Sequence, residues 1–172
     1  MNWRAQLVPD LGAATKAPAA TLPPPDRLHP TIRALYEHWL SIHPASGLPG
    51  RQHFDPVAVP RLLANVWLLD LERDPWRFRY RVIGSALVQA GTPVRTGDWL
   101  HEVLPDKAQR AGMEALFLQA IESRAPAWRR GAPTIAHDRF ISELEVIVLP
   151  LARDGVTVDN LLNATVFYWQ AR

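Results

Sequence analysis

The sequence predicts an α+β fold: one five-stranded antiparallel sheet with helices on one face, preceded by an N-terminal helix. Three observations carry this. The apolar periodicities run helix, strand, strand, small helices, long helix, strand, strand, strand along the chain. Short turn-rich links between strands favour antiparallel neighbours, and two strand groups divided by a helical insertion suit a sheet with helices packed over it. The 172 residues are 48% hydrophobic and contain no cysteine. A core of that size folds without disulfides or structural metal, and thiol chemistry, cysteine-ligated metal and cysteinyl-flavin photochemistry are excluded.

Residues 1–28, with Pro9, Pro18 and Pro23-Pro24-Pro25, read as a Pro/Ala-rich extended arm; residues 29–172 form the domain. Pro30 opens a helix over 30–43, and Ile32, Leu35, Tyr36, Trp39 and Leu40 make one apolar stripe along it. Burying that stripe contributes up to about 8–15 kcal/mol, so it docks on its own domain or on a partner, and these five residues are the candidate interface. Asp55 caps a short helix over 56–63. Val66–Leu71 is a strand. In Arg77–Ile83 the alternation places Phe78, Tyr80 and Val82 on one face and Arg77, Arg79 and Arg81 on the other. Residues 85–90 make one or two helical turns. Asp106 caps a long helix over 107–124, with Gln109 at the capping-box position and Pro126 as its stop. Strands follow at 127–135, 139–151 and 161–169, with Asp154-Gly155 as a turn between the last two.

The runs LPGRQHFDP (48–56), PRLLANVWLLDLE (60–72) and RFRYRVIG (77–84), with Thr96-Gly97, resemble the PAS domain family, and more narrowly the small single-domain PAS-like proteins of bacteria. The resemblance spans about residues 29–169. It implies the sheet order 2-1-5-4-3, the long helix over the sheet, and a sensory or interaction role with no catalytic residues. The length leaves no room for an output domain beside it, so a signal is expected to leave through protein–protein contacts, by homodimerisation or with a signalling partner.

Tyr80, Val82, Leu87, Trp99, Leu104, Met113, Phe117 and Ile121 are candidates for the wall of a pocket for a small apolar or aromatic ligand; a filled core uses the same side chains. His101 lies in the segment covering such a pocket, and Asn163 and Thr165 share a face of the last strand as polar candidates. No metal site is expected, because His38 and His43 miss helical ligand spacing, and His53/Asp55 and His137/Asp138 are local loop pairs. Haem has only His101 to ligate it and flavin lacks a matched ring-edge set, so no cofactor is expected. Of the 19 basic residues all but Lys16 and Lys107 are arginine, against 17 acids, for a net charge of +2. Arg129 and Arg130 are expected to meet Glu143 and Glu145 across strands. The Arg77–Arg81 stripe has only Asp70 and Glu72 near it and suits an acidic partner better than nucleic acid. No uncharged stretch exceeds thirteen residues, short of the roughly 20 a spanning helix needs; a soluble cytoplasmic protein is the expectation. The expected mechanism is a population shift in which ligand between sheet and long helix favours one packing of helix 30–43, a tenfold effect requiring about 1.4 kcal/mol. The alternatives are a dimerisation or adaptor module with a filled core, and a small isomerase- or dehydratase-like enzyme using His101 or Asp70.

Overall fold

The computed structural model describes residues 22–133 and 140–170. The expected arm over 1–28 therefore falls mostly outside the described residues, as does the His137/Asp138 pair. The elements are α1 (Pro30–Ser41), β1 (Val66–Glu72), β2 (Arg77–Ile83), α2 (Ser85–Gln89), α3 (Leu100–Val103), α4 (Lys107–Ser123), β3 (Ala127–Gly131), β4 (Ile141–Leu151) and β5 (Asn160–Trp169). All strand pairings are antiparallel and the sheet order is β2-β1-β5-β4-β3, as expected.

Local chemistry sets the helix ends. His29 Nδ1 accepts the Thr31 N–H at the start of α1, one residue before Pro30. Asp106 Oδ1 accepts the Ala108 and Gln109 N–H groups at the start of α4. The long helix ends at Arg124, in the left-handed region at φ 53°, two residues before Pro126. The short helix expected over 56–63 is instead two 3₁₀ turns, Pro56–Ala58 and Pro60–Leu62. Pro60 has no N–H to continue the first turn; Asp55 still caps it, accepting from Val57 N–H at 2.9 Å.

Alternation along β4 shows that the helices use both faces of the sheet. Leu144 and Val146 face α4, Met113 and Phe117 lying with them around one cavity. The intervening Glu145 points the other way and accepts the His29 N–H at the foot of α1. Thus α4, which packs on β3 and β4, covers one face, and α1, on β4 and β5, covers the opposite one. β4 and β5 are accordingly buried from both sides: Ile147, Val148, Leu149, Leu161, Leu162 and Ala164 have no exposed surface.

The LPGRQHFDP run is a clasp. Leu48 N–H donates to Gly155 O and Ala152 N–H to Pro49 O, both at 2.9 Å, tying the loop after α1 to the β4–β5 turn. Gly47 lies against Gly155 so closely that a Cβ would come within 2.6 Å of the Gly155 carbonyl oxygen, and its φ is +80°. Phe54 is buried beneath, edge-on to His38 at 5.7 Å.

Candidate functional site

Between α4 and the sheet lies a cavity of about 60 Å³. Its floor is Trp67 of β1, Tyr80 of β2, Leu144 and Val146 of β4 and Thr165 of β5; its roof is Met113, Leu116 and Phe117 of α4, with Leu87 of α2 at one end. Thr92, Gly112 and Arg129 stand at its opening, all at least partly exposed. Aromatic contacts stiffen the floor: Trp67 lies 6.0 Å from Phe117 and 5.9 Å from Tyr80, and Phe78 lies 5.0 Å from Phe117. The Trp67 indole N–H donates to Thr165 Oγ1 at 3.0 Å, which fixes the ring. Tyr80 is 2% exposed, and burial, with Asp98 adding to it, pushes its phenol well up, so the group remains a hydrogen-bond donor.

Of the ten expected pocket residues, the structure gathers Tyr80, Leu87, Met113, Phe117 and Thr165 around this cavity. Val82 departs because of a β-bulge. Leu69 pairs with Tyr80 but Leu68 with Val82, so Arg81 is an extra residue on β2 and every side chain beyond it changes face. Val82 is consequently 41% exposed. Trp99 sits outside the floor, below the Arg77 guanidinium (4.1 Å) and the Arg79 guanidinium (5.6 Å). His101 stands beside Trp99 at 6.0 Å rather than in the cavity. Ile121 and Leu104 are buried in the core away from it. Asn163 is fully buried and not in the wall: its Nδ2 donates to Trp67 O and Leu161 O, while Oδ1 has no partner among the described residues.

The residues that sequence reasoning left out are Trp67, Leu116, Leu144, Val146 and the rim. Trp67 belongs to an apolar run with no alternation to sort its faces. Leu144 and Val146 flank Glu145, and their i, i+2 spacing marks the cavity face once the sheet order is adopted.

On the opposite face the expected interface stripe is largely consumed within the chain. Ile32 and Leu35 have no exposed surface and Trp39 is 4% exposed, with its indole N–H donating to Pro150 O at 3.1 Å, where β4 has outrun β3. Tyr36 is half-buried and Leu40 remains 47% exposed. Beside α1, Glu145 is fully buried: Oε1 accepts from His29 N–H (3.1 Å) and Trp128 Nε1–H (3.0 Å), and Oε2 from Tyr168 Oη–H (2.8 Å). This corrects the expected cross-strand pairing, since Arg130 pairs with Glu143 at 2.9 Å whereas Glu145 serves α1 and Arg129 faces the cavity mouth. Opposing residues in the β3–β4 register alternate faces, so Arg129, opposite Val146, points away from Glu145.

The Arg77–Arg81 stripe is also partly engaged: Arg77 meets Glu72 at 3.2 Å, Arg81 meets Asp70 at 3.9 Å, and Arg79 Nε donates to Gly97 O. Two of the loop histidines are tied to backbone: His53 Nδ1 accepts the Gly50 N–H, and His43 Nδ1 lies 2.8 Å from Trp39 O. Among the described residues no cluster of metal-ligating side chains occurs. Asp70 and His101, weighed as catalytic groups, are not brought together. Asp70 holds Asn160 Nδ2 at 2.7 Å, and neither residue lines the cavity. No helix among the described residues is long and apolar enough to cross a membrane.

A five-stranded antiparallel sheet, a long helix over one face and a small apolar cavity between them define an α+β domain. The chain belongs to the PAS domain family, whose model matches residues 27–165. Among solved structures it is similar to a sensory box sensor histidine kinase from Vibrio cholerae, at 12% identity and a TM-score of 0.42, covering 64% of this chain and 87% of that one. No curated protein matches the chain.

Proposed function

We propose that this PAS domain is a sensory or regulatory module that takes a small apolar or aromatic molecule into the cavity beneath α4 and answers by changing how α1 is held. The observation that supports it is the arrangement of β4. Leu144 and Val146 are cavity wall, and Glu145 between them holds the first residues of α1 through the His29 N–H. A shift of this strand segment toward or away from α4 is felt at both places, because a peptide strand moves as a unit and packed interiors transmit strain. The output is a protein–protein contact on the outer side of α1, where Leu40 and the edge of Tyr36 are available to a second copy or a signalling partner. No prosthetic group is part of this reading: the cavity holds about four to six water-sized groups at roughly 10–15 Å³ each, far fewer atoms than haem or flavin.

The test is a panel of small aromatic and aliphatic fragments, screened by ligand-observed NMR on freshly purified protein and followed by hydrogen exchange. Binding that raises the melting temperature and alters exchange at the α1 amides is the expected result. Binding without any change at α1 breaks the proposed transmission. If no fragment binds, the small cavity is a packing defect and the chain is better read as a dimerisation or adaptor module.

A further inference from the structure

Resting on the reading of the cavity as a ligand site, its polar groups narrow the ligand class. Apart from Thr92 at the opening, which is itself engaged, the walls are apolar except at three points. Thr165 Oγ1 already accepts from Trp67. Tyr80 offers a buried phenol hydroxyl in the cavity floor. A phenol hydroxyl in a cavity wall is placed to donate to an acceptor atom on a guest.

The third point is Arg129 at the mouth. Its Nη2 donates to Ala132 O, and among the described residues no carboxylate pairs with it. Arg130, one residue away on the other face, takes Glu143. The guanidinium carries five donors in a planar fork, a geometry that suits a planar anion. A cation placed over an apolar cavity selects an amphipathic guest whose charged end stays at the opening, where its hydration is only partly lost.

We propose that the cavity recognises a small monocarboxylate: an apolar or aromatic body of about four to six non-hydrogen atoms between Phe117, Met113, Leu144 and Val146, with its carboxylate at Arg129. Tyr80 donates to an acceptor atom carried on the body of such a ligand. A body bearing a carbonyl or hydroxyl oxygen gives that hydroxyl an acceptor that a plain hydrocarbon lacks, so it binds better.

Matched probes separate this from simple cavity binding: hexanoate and benzoate against 1-hexanol and benzyl alcohol, with dissociation constants for wild type, Arg129→Gln, Arg129→Lys and Tyr80→Phe. The acids are expected to bind about tenfold tighter than the alcohols, as one charge-assisted hydrogen bond at a partly exposed site supports. That preference should vanish in Arg129→Gln and persist in Arg129→Lys. Because the measure is the acid-to-alcohol ratio within each variant, a general loss of stability does not mimic it. Replacing benzoate with its ring-hydroxylated counterpart should help wild type and not Tyr80→Phe. Alcohols that bind as tightly as the acids, or an acid preference untouched by Arg129→Gln, overturn the carboxylate assignment while the cavity reading stands. If neither acids nor alcohols bind, both fall.

Discussion

Between α1 and the sheet, Ile32 and Leu35 are sealed off, and the buried carboxylate of Glu145 has three donors on its two oxygens. Between α4 and the sheet, a cavity of about 60 Å³ remains, with the buried Tyr80 phenol in its floor. Both faces belong to the same two central strands, so backbone order does not explain the difference. Its origin is side-chain chemistry. The α1 face meets a helix through close apolar contacts closed by Trp39 and Glu145. The α4 face sets large rings (Trp67, Tyr80, Phe78 and Phe117) against one another at 5.0–6.0 Å where they touch, and rigid rings leave gaps that flexible chains would fill. One face fixes the fold and the other keeps room for a guest.

The largest expected effect comes from breaking the closed face. Trp39→Ala removes a buried indole and its bond to Pro150 O, and is expected to cost about 3–5 kcal/mol in urea unfolding. A loss below 1 kcal/mol would mean that α1 is not docked as described. Next comes a pair of overfilling substitutions. Ala164→Leu, on the α1 face where no surface is exposed, should cost about 1–3 kcal/mol. Val146→Leu grows into the cavity, so it should cost less than about 1 kcal/mol and weaken fragment binding. Equal costs would erase the contrast between the faces.

The smallest effect concerns Tyr168, whose phenol is pushed up to about 12 from its usual 10, mainly by burial and then by its bond to Glu145. A raised folded value means that the folded state holds the proton more tightly. Its contribution is complete below pH 10 and is lost as pH climbs through 10 toward 12. Tyr168→Phe should therefore flatten the fall in unfolding midpoint across that window; an unchanged slope would show that Tyr168 is not coupled to the α1 anchor.

Most of the fold was legible because periodicity and turn chemistry are local. Asp106 and Pro30 mark their helix starts, Arg77–Ile83 is bounded as read, and the family resemblance supplied the strand order. The site was half legible. Phe117 and Met113 announce themselves on the buried face of α4, and Tyr80 on the alternating half of β2. Val82 was lost because a bulge is a property of two paired strands and leaves no mark in one. Trp39 and its neighbours were ambiguous since an apolar stripe looks the same whether a sheet or a partner covers it. Glu145 misled most: a glutamate on a strand near arginines reads as a surface pair, and only the tertiary arrangement of His29, Trp128 and Tyr168 makes it an anchor.

The bulge at Arg81 divides β2 into two reading frames. Before it, Phe78 and Tyr80 belong to the interior; after it that assignment passes to Ile83, while Val82 lies at the surface. A comparison of relatives that aligns them without a gap at this point would credit the wrong column with the interior side chain. In a relative lacking the extra residue, the side chain after Tyr80 in the interior series comes one position earlier, which reshapes the floor of the domain without altering any residue in it.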